Sequence, residues 1–167
     1  MRVHAGLRAR LDAAAAHRRA RGLTLIEMMI VLAILGVIAG IAIPRYFDYR
    51  ERIRVQQAVT DIAGLNVRLR QYMLDDKDAP PASLATIGAS GMLDPWGRAY
   101  VYFNIRTAHG LGGVRKNKNL VPINSDFDLY SKGKDGASVG PLTAGPSRDD
   151  VILANDGKFI GLASDYE

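Results

Sequence analysis

Glu27 is the one charged side chain between Leu23 and Ile43, and it stands five positions after Gly22. A carboxylate inside an apolar helix of this length is costly in lipid, so it needs either a route to the headgroups or a partner. Few other residues could do chemistry. Cysteine is absent, which excludes disulfides and thiolate chemistry. His4 and His17 lie within the first 22 residues, leaving His109 in the remainder, so no multi-histidine metal site can form there. His109 sits in the glycine-rich stretch Thr107–Gly113. A Ser–His–Asp arrangement around it is formally open, but a solvated loop residue is the simpler reading. Asp94, Trp96 and Arg98 form a polar cluster, yet a lone tryptophan beside a Pro-Gly turn reads first as a core plug. Asp135, Asp149 and Asp150 bracket a long loop. They lack the regular acid spacing of an EF-hand, and each has a plain reading as a turn, a loop end or a helix cap. No phosphate loop, nucleophile elbow or supported pair of catalytic carboxylates can be placed, so the chain reads as a non-enzyme.

The elements that must position these residues begin with the apolar run. Leu23–Ile43 is 21 residues long, about 31 Å as a helix, which matches a bilayer core. A single span can satisfy its backbone in lipid only as a helix. Before it, residues 1–22 hold six arginines against Asp12, and the remainder carries 16 basic and 16 acidic residues. The net charge of +5 therefore belongs to the leader and predicts a cytoplasmic N-terminus with the rest of the chain beyond the membrane. A neutral body argues against a nucleic-acid surface. Gly36 and Gly40 form a Gly-x-x-x-Gly pair suited to close helix approach, although glycine is common in membrane helices anyway. Pro44 removes a helical hydrogen bond and predicts a bend or local opening.

Beyond Pro44 the pattern turns amphipathic. Val55, Ala58, Val59, Ile62, Leu65, Leu69, Tyr72 and Met73 recur at steps of three and four, predicting one buried stripe. The helix is expected to end near Asp75–Asp78, before Pro80-Pro81, with Leu84 and Ile87 packing back on it. Arg98–Ile105, Asp126–Ser131, Val151–Ala154 and Lys158–Leu162 read as strands, the last two joined by the turn Asn155-Asp156-Gly157. The expected fold is α+β, one long N-terminal helix on a small antiparallel sheet. Its divisions are a leader (1–22), a transmembrane helix (23–43), the amphipathic continuation (44–76) and a C-terminal sheet domain with a loop (77–167).

The segment RGLTLIEMMIVLAILGVIAGIAIPRY, residues 21–46, resembles the prepilin peptidase recognition segment of type IV pilins and type II secretion pseudopilins. An ordinary secretory signal is cut after its apolar core, and no Ala-x-Ala site follows this one. The resemblance implies cleavage after Gly22 by a prepilin peptidase and methylation of the new amino group on Leu23, where the family usually has phenylalanine. It also implies that Glu27 pairs with a neighbouring subunit's amino terminus, and that Gly36–Pro44 loosens on packing. The anticipated partners are copies of the chain and other pilins, the inner-membrane assembly platform and membrane lipid. Asp94-Pro95-Trp96-Gly97, Tyr100-Val101-Tyr102, Asp126–Ser131 and Gly133–Gly136 are similar to the major pseudopilin, with longer stretches at Asn104–Ile123 and Gly136–Arg148. That likeness implies a structural calcium ion held by Asp135, Asp149, Asp150 and the carbonyl of Lys132. A type IV pilus subunit is the alternative reading, and a membrane-anchored enzyme or ligand-binding domain a more distant one.

Overall fold

The structure, a computed structural model, describes residues 22–75 and 79–166. Residues 1–21, most of the expected leader, the segment 76–78 where the helix is expected to end, and Glu167 lie outside the described residues. The chain divides into two compact units between Ile43 and Pro44.

In the first unit the helix α1 (Leu25–Asp75) begins, and every side chain from Leu23 to Ile43 is exposed. The helix is long and apolar enough to cross a membrane, by length and composition. It runs through Pro44 without a break. The expected local opening is therefore not seen. A proline forfeits one backbone bond and crowds the preceding turn, and the bonds on either side are enough to keep the helix continuous.

In the second unit the predicted stripe is the spine of the core. Ala58, Ile62, Leu65, Leu69 and Met73 are buried, and Val55 and Val59 pack along its margin. Steps of three and four return to one face of a 3.6-residue helix, which is why this set and not its polar neighbours goes inward. A short 3-10 turn at Leu84–Ile87 adds both of its predicted apolar residues to that core.

Four strands follow: β1 (Val101–Asn104), β2 (Phe127–Ser131), β3 (Val151–Ala154) and β4 (Phe159–Leu162). They form an antiparallel meander in chain order, with Tyr102 opposite Leu129, Tyr130 opposite Ile152, and Leu153 opposite Ile160. The first strand is shorter than predicted. Ala99 pairs back with Leu93 around the Asp94–Gly97 turn, so Arg98 and Ala99 serve the turn and not the sheet. The β3–β4 link is the predicted Asn155-Asp156-Gly157 turn. All three residues have positive φ, a conformation that Asn, Asp and Gly tolerate best.

Both faces of β3 are buried. Val151 and Leu153 face the helix stripe with Phe127 and Leu129, while Ile152 and Ala154 join Ile123, Leu142 and Ala163 in a second apolar cluster. Alternation along a strand sends neighbours to opposite faces, so the far face needs its own cover. The two long stretches, 104–123 and 136–148, provide Ile123 and Leu142 for it. Their extra length builds a second core.

Candidate functional site

At the start of α1, Thr24 and Glu27 hold each other. The Thr24 main-chain N–H and hydroxyl both donate to Glu27 Oε2, each at 2.8 Å, and the Glu27 N–H donates to Thr24 Oγ1 at 3.2 Å. This is a capping box, in which two otherwise unpaired N–H groups of the first turn are satisfied reciprocally. Its signature, Thr-x-x-Glu, stands in the sequence. Glu27 is exposed, as are Leu23 and Leu25 beside it. Nothing lies within 4 Å of where a Cβ would stand on Gly36 or Gly40. The helix face at both glycines is open.

The second unit contains a dense set of polar contacts. Asp94 is buried, and its Oδ1 accepts the N–H groups of Trp96 (3.1 Å) and Arg98 (2.8 Å), while Oδ2 accepts the Ser131 hydroxyl at 2.5 Å. The Arg98 guanidinium donates to the carbonyls of Gly133 and, at 3.1 Å, Lys134. Trp96 lies at the core margin, half-buried, with its indole N–H on Glu51 Oε1 at 2.9 Å. The Asp94–Arg98 segment is thus a brace that ties the helix and β2 to the loop after it. His109 sits on an exposed bend, and among the described residues it makes no hydrogen bond to a serine or aspartate.

The residues expected around calcium fall into two groups. Asp149 Oδ2 accepts the Asp135 N–H at 2.9 Å, and Asp135 Oδ1 accepts the Ala137 N–H at 2.7 Å. The Lys132 carbonyl accepts the Gly136 N–H at 3.2 Å. Gly133, at φ 62°, lies so close to the Asp149 main chain that a Cβ would collide with it. Asp150 turns elsewhere. It is fully buried, and its Oδ2 takes the Arg115 guanidinium at 2.5 Å and the Ser138 hydroxyl at 2.6 Å, while Oδ1 has no partner. Among the described residues no three His, Cys, Asp or Glu side chains come together to hold a metal ion. Asp149 and Asp150, though adjacent, serve different partners, Asp149 the Asp135 N–H and Asp150 the Arg115 guanidinium.

Burial pushes the Asp150 carboxyl up to about 6, against the downward pull of Ser138 and Arg115. Asp128 is raised for the same reason, opposed by the Arg115 N–H (2.7 Å) and the Asn124 amide (2.9 Å) on its oxygens. Burial, reinforced by the carboxylate of Asp61 that accepts its hydroxyl at 2.8 Å, raises Tyr100. Arg115 had no signal in the sequence beyond being one cation in a long loop. The Ser138 hydroxyl does meet the Asp150 carboxylate, but the same oxygen takes the Arg115 guanidinium and that ion pair is buried, so the arrangement reads as bracing.

An apolar first helix, an exposed acid in its first turn and a braced four-stranded meander define a helix-and-sheet subunit with a membrane-length N-terminal segment. Residues 17–43 match the family model described as the prokaryotic N-terminal methylation motif. The chain is 43% identical over 140 residues to "Type II secretion system core protein G" of Dickeya chrysanthemi, covering 80% of this chain and 86% of that protein. It is 31% identical over 140 residues to the protein of the same name from Klebsiella pneumoniae, covering 80% and 94% respectively. To "Type IV major fimbrial protein FimA" of Dichelobacter nodosus it is 37% identical over 145 residues, covering 84% and 85%. No solved structure matches significantly. The chain belongs to the type IV pilin and pseudopilin family.

Proposed function

We propose that the chain is a structural subunit of a type II secretion pseudopilus, made as a precursor, cut after Gly22 by a prepilin peptidase and methylated on Leu23. The observation that carries this reading is the 43% identity to a secretion core protein G over 80% of this chain and 86% of that protein. The leader would hold the N-terminus in the cytoplasm, α1 would anchor the chain in the inner membrane, and the sheet domain would lie in the periplasm. Copies would then leave the membrane through an assembly platform and stack by their apolar helices.

The exposed apolar residues Leu23–Ile43 support the stacking step, because a surface this size needs lipid or another helix. Glu27 would form an ion pair with the amino terminus of a neighbouring subunit, and the open faces at Gly36 and Gly40 would allow close helix contact. The chain supplies geometry and packing, with no catalytic role.

A second reading, a type IV pilus subunit, is favoured by the 37% identity to a major fimbrial protein over comparable lengths. Deleting the gene separates the two. Loss of secreted proteins from the medium with surface pili intact supports the pseudopilus, and loss of pili with secretion intact supports the pilus.

A further inference from the structure

Residues 138–142 of the loop 136–148 are held by contacts to the other long stretch, 104–123. The Lys116 N–H donates to the Gly140 carbonyl at 3.1 Å, and the Leu142 N–H donates to the Lys116 carbonyl at 2.9 Å. Beneath these two rungs lies Arg115, only 2% exposed. Its Nη1 donates to Ser138 Oγ and to the Val139 carbonyl, each at 2.6 Å, and its Nη2 donates to Asp150 Oδ2 at 2.5 Å. The guanidinium also lies over the Tyr130 ring, 4.4 Å from its centre, and the Arg115 N–H is on Asp128. Ser147 completes the closure by exchanging two hydrogen bonds with the Val139 backbone, at 2.9 and 2.8 Å.

A main-chain carbonyl, a hydroxyl and a carboxylate converging on one positive centre is the kind of oxygen set a hard cation would take. Here a side chain supplies the charge. A guanidinium is always protonated, is fitted by its planar fork to several acceptors at once, and is less strongly hydrated than an ammonium. A divalent ion brought to Asp150 would meet a buried like charge.

We propose that Arg115 is the internal cation of this domain, closing loop 136–148 onto Asp150 in place of a bound calcium ion. The closure is then permanent and indifferent to calcium supply. This holds whether the filament serves secretion or a pilus.

The test uses the full mature protein in detergent, comparing its unfolding midpoint and its cleavage by a non-specific protease after chelation with EGTA and after adding millimolar calcium. The expected result is the same midpoint and the same protection in both conditions. Arg115→Met should be cut within 136–148 at least about tenfold faster, since breaking a buried pair strands Asp150. The proposal is overturned if calcium raises the wild-type midpoint by about 10 °C, the scale expected of a site filled to a hundred times its Kd. Wild-type protection of the loop in R115M would overturn it equally. The wild-type titration stands even if R115M does not fold.

Discussion

Glu27 and Thr24 form a closed pair at the first turn of α1, with three hydrogen bonds between them and Glu27 Oε2 accepting two. The carboxylate proposed to reach a neighbouring subunit is thus held meanwhile by its own chain. Such a resting place lowers the cost of an acid beside an apolar segment, and it aims the carboxylate toward the N-terminal end, where the helix dipole favours negative charge.

The two roles of Glu27 separate by mutation. Glu27→Ala is expected to be cleaved and inserted like wild type but to leave filaments nearly unlabelled. Thr24→Ala, which removes the hydroxyl and keeps the acid, is expected to enter filaments at close to the wild-type level. Quantifying each variant in sheared filaments against its membrane pool checks both, and equal incorporation of E27A and wild type contradicts the assembly role.

The second core predicts a stability cost on the sheet face away from the helix. Ile152 is fully buried there, so Ile152→Ala is expected to lose about 2–5 kcal/mol, as large-to-small core changes do. A solvent-facing sheet would lose far less. Denaturant unfolding in detergent reads the difference.

The pH dependence has a definite sign. Burial raises folded Asp150 to about 6, above the ordinary aspartate value of about 3.9, so the folded chain binds the proton more tightly than the unfolded chain. Its contribution to stability therefore grows as pH falls from about 7 through 6, and levels off below about 4. The unpartnered Oδ1 can take the proton while Oδ2 keeps Arg115 and Ser138. Asp128 acts in the same direction. The unfolding midpoint is expected to rise by a few degrees between pH 7 and pH 5, and Asp150→Asn should flatten that rise. An equal response in wild type and D150N contradicts the assignment.

The polar brace predicts a local effect. Asp94→Ala strands the N–H groups of Trp96 and Arg98 and the Ser131 hydroxyl, so a loss of about 1–3 kcal/mol is expected for leaving buried donors unmet. Amide exchange should quicken first in the Asp94–Arg98 turn. Uniform loss across the sheet with that turn unchanged contradicts the brace.

What the sequence made legible follows from range. The buried stripe from Ala58 to Met73 was readable because its period is local to one helix, and the β3–β4 hairpin because Asn155-Asp156-Gly157 suits positive φ. The Thr24–Glu27 box was equally local, a Thr-x-x-Glu signature overshadowed by the rarity of an acid in that run. The second core was not readable, because Ile123 and Leu142 are isolated apolar residues in loops and meet only when the sheet forms. Nor was Arg115, whose partners Ser138, Val139 and Asp150 lie 23 to 35 positions away. The expectation for Asp149 and Asp150 as joint ligands came from the likeness to the major pseudopilin, whereas the fold turns the two side chains to different neighbours.

The proposed filament subunit is released from its leader after Gly22. Intact-mass measurement of the chain purified from membranes of its native host tests it most directly. The predicted result is a mature chain beginning at Leu23 and carrying one methyl group on its amino terminus. A membrane-embedded chain that retains residues before Leu23 contradicts it.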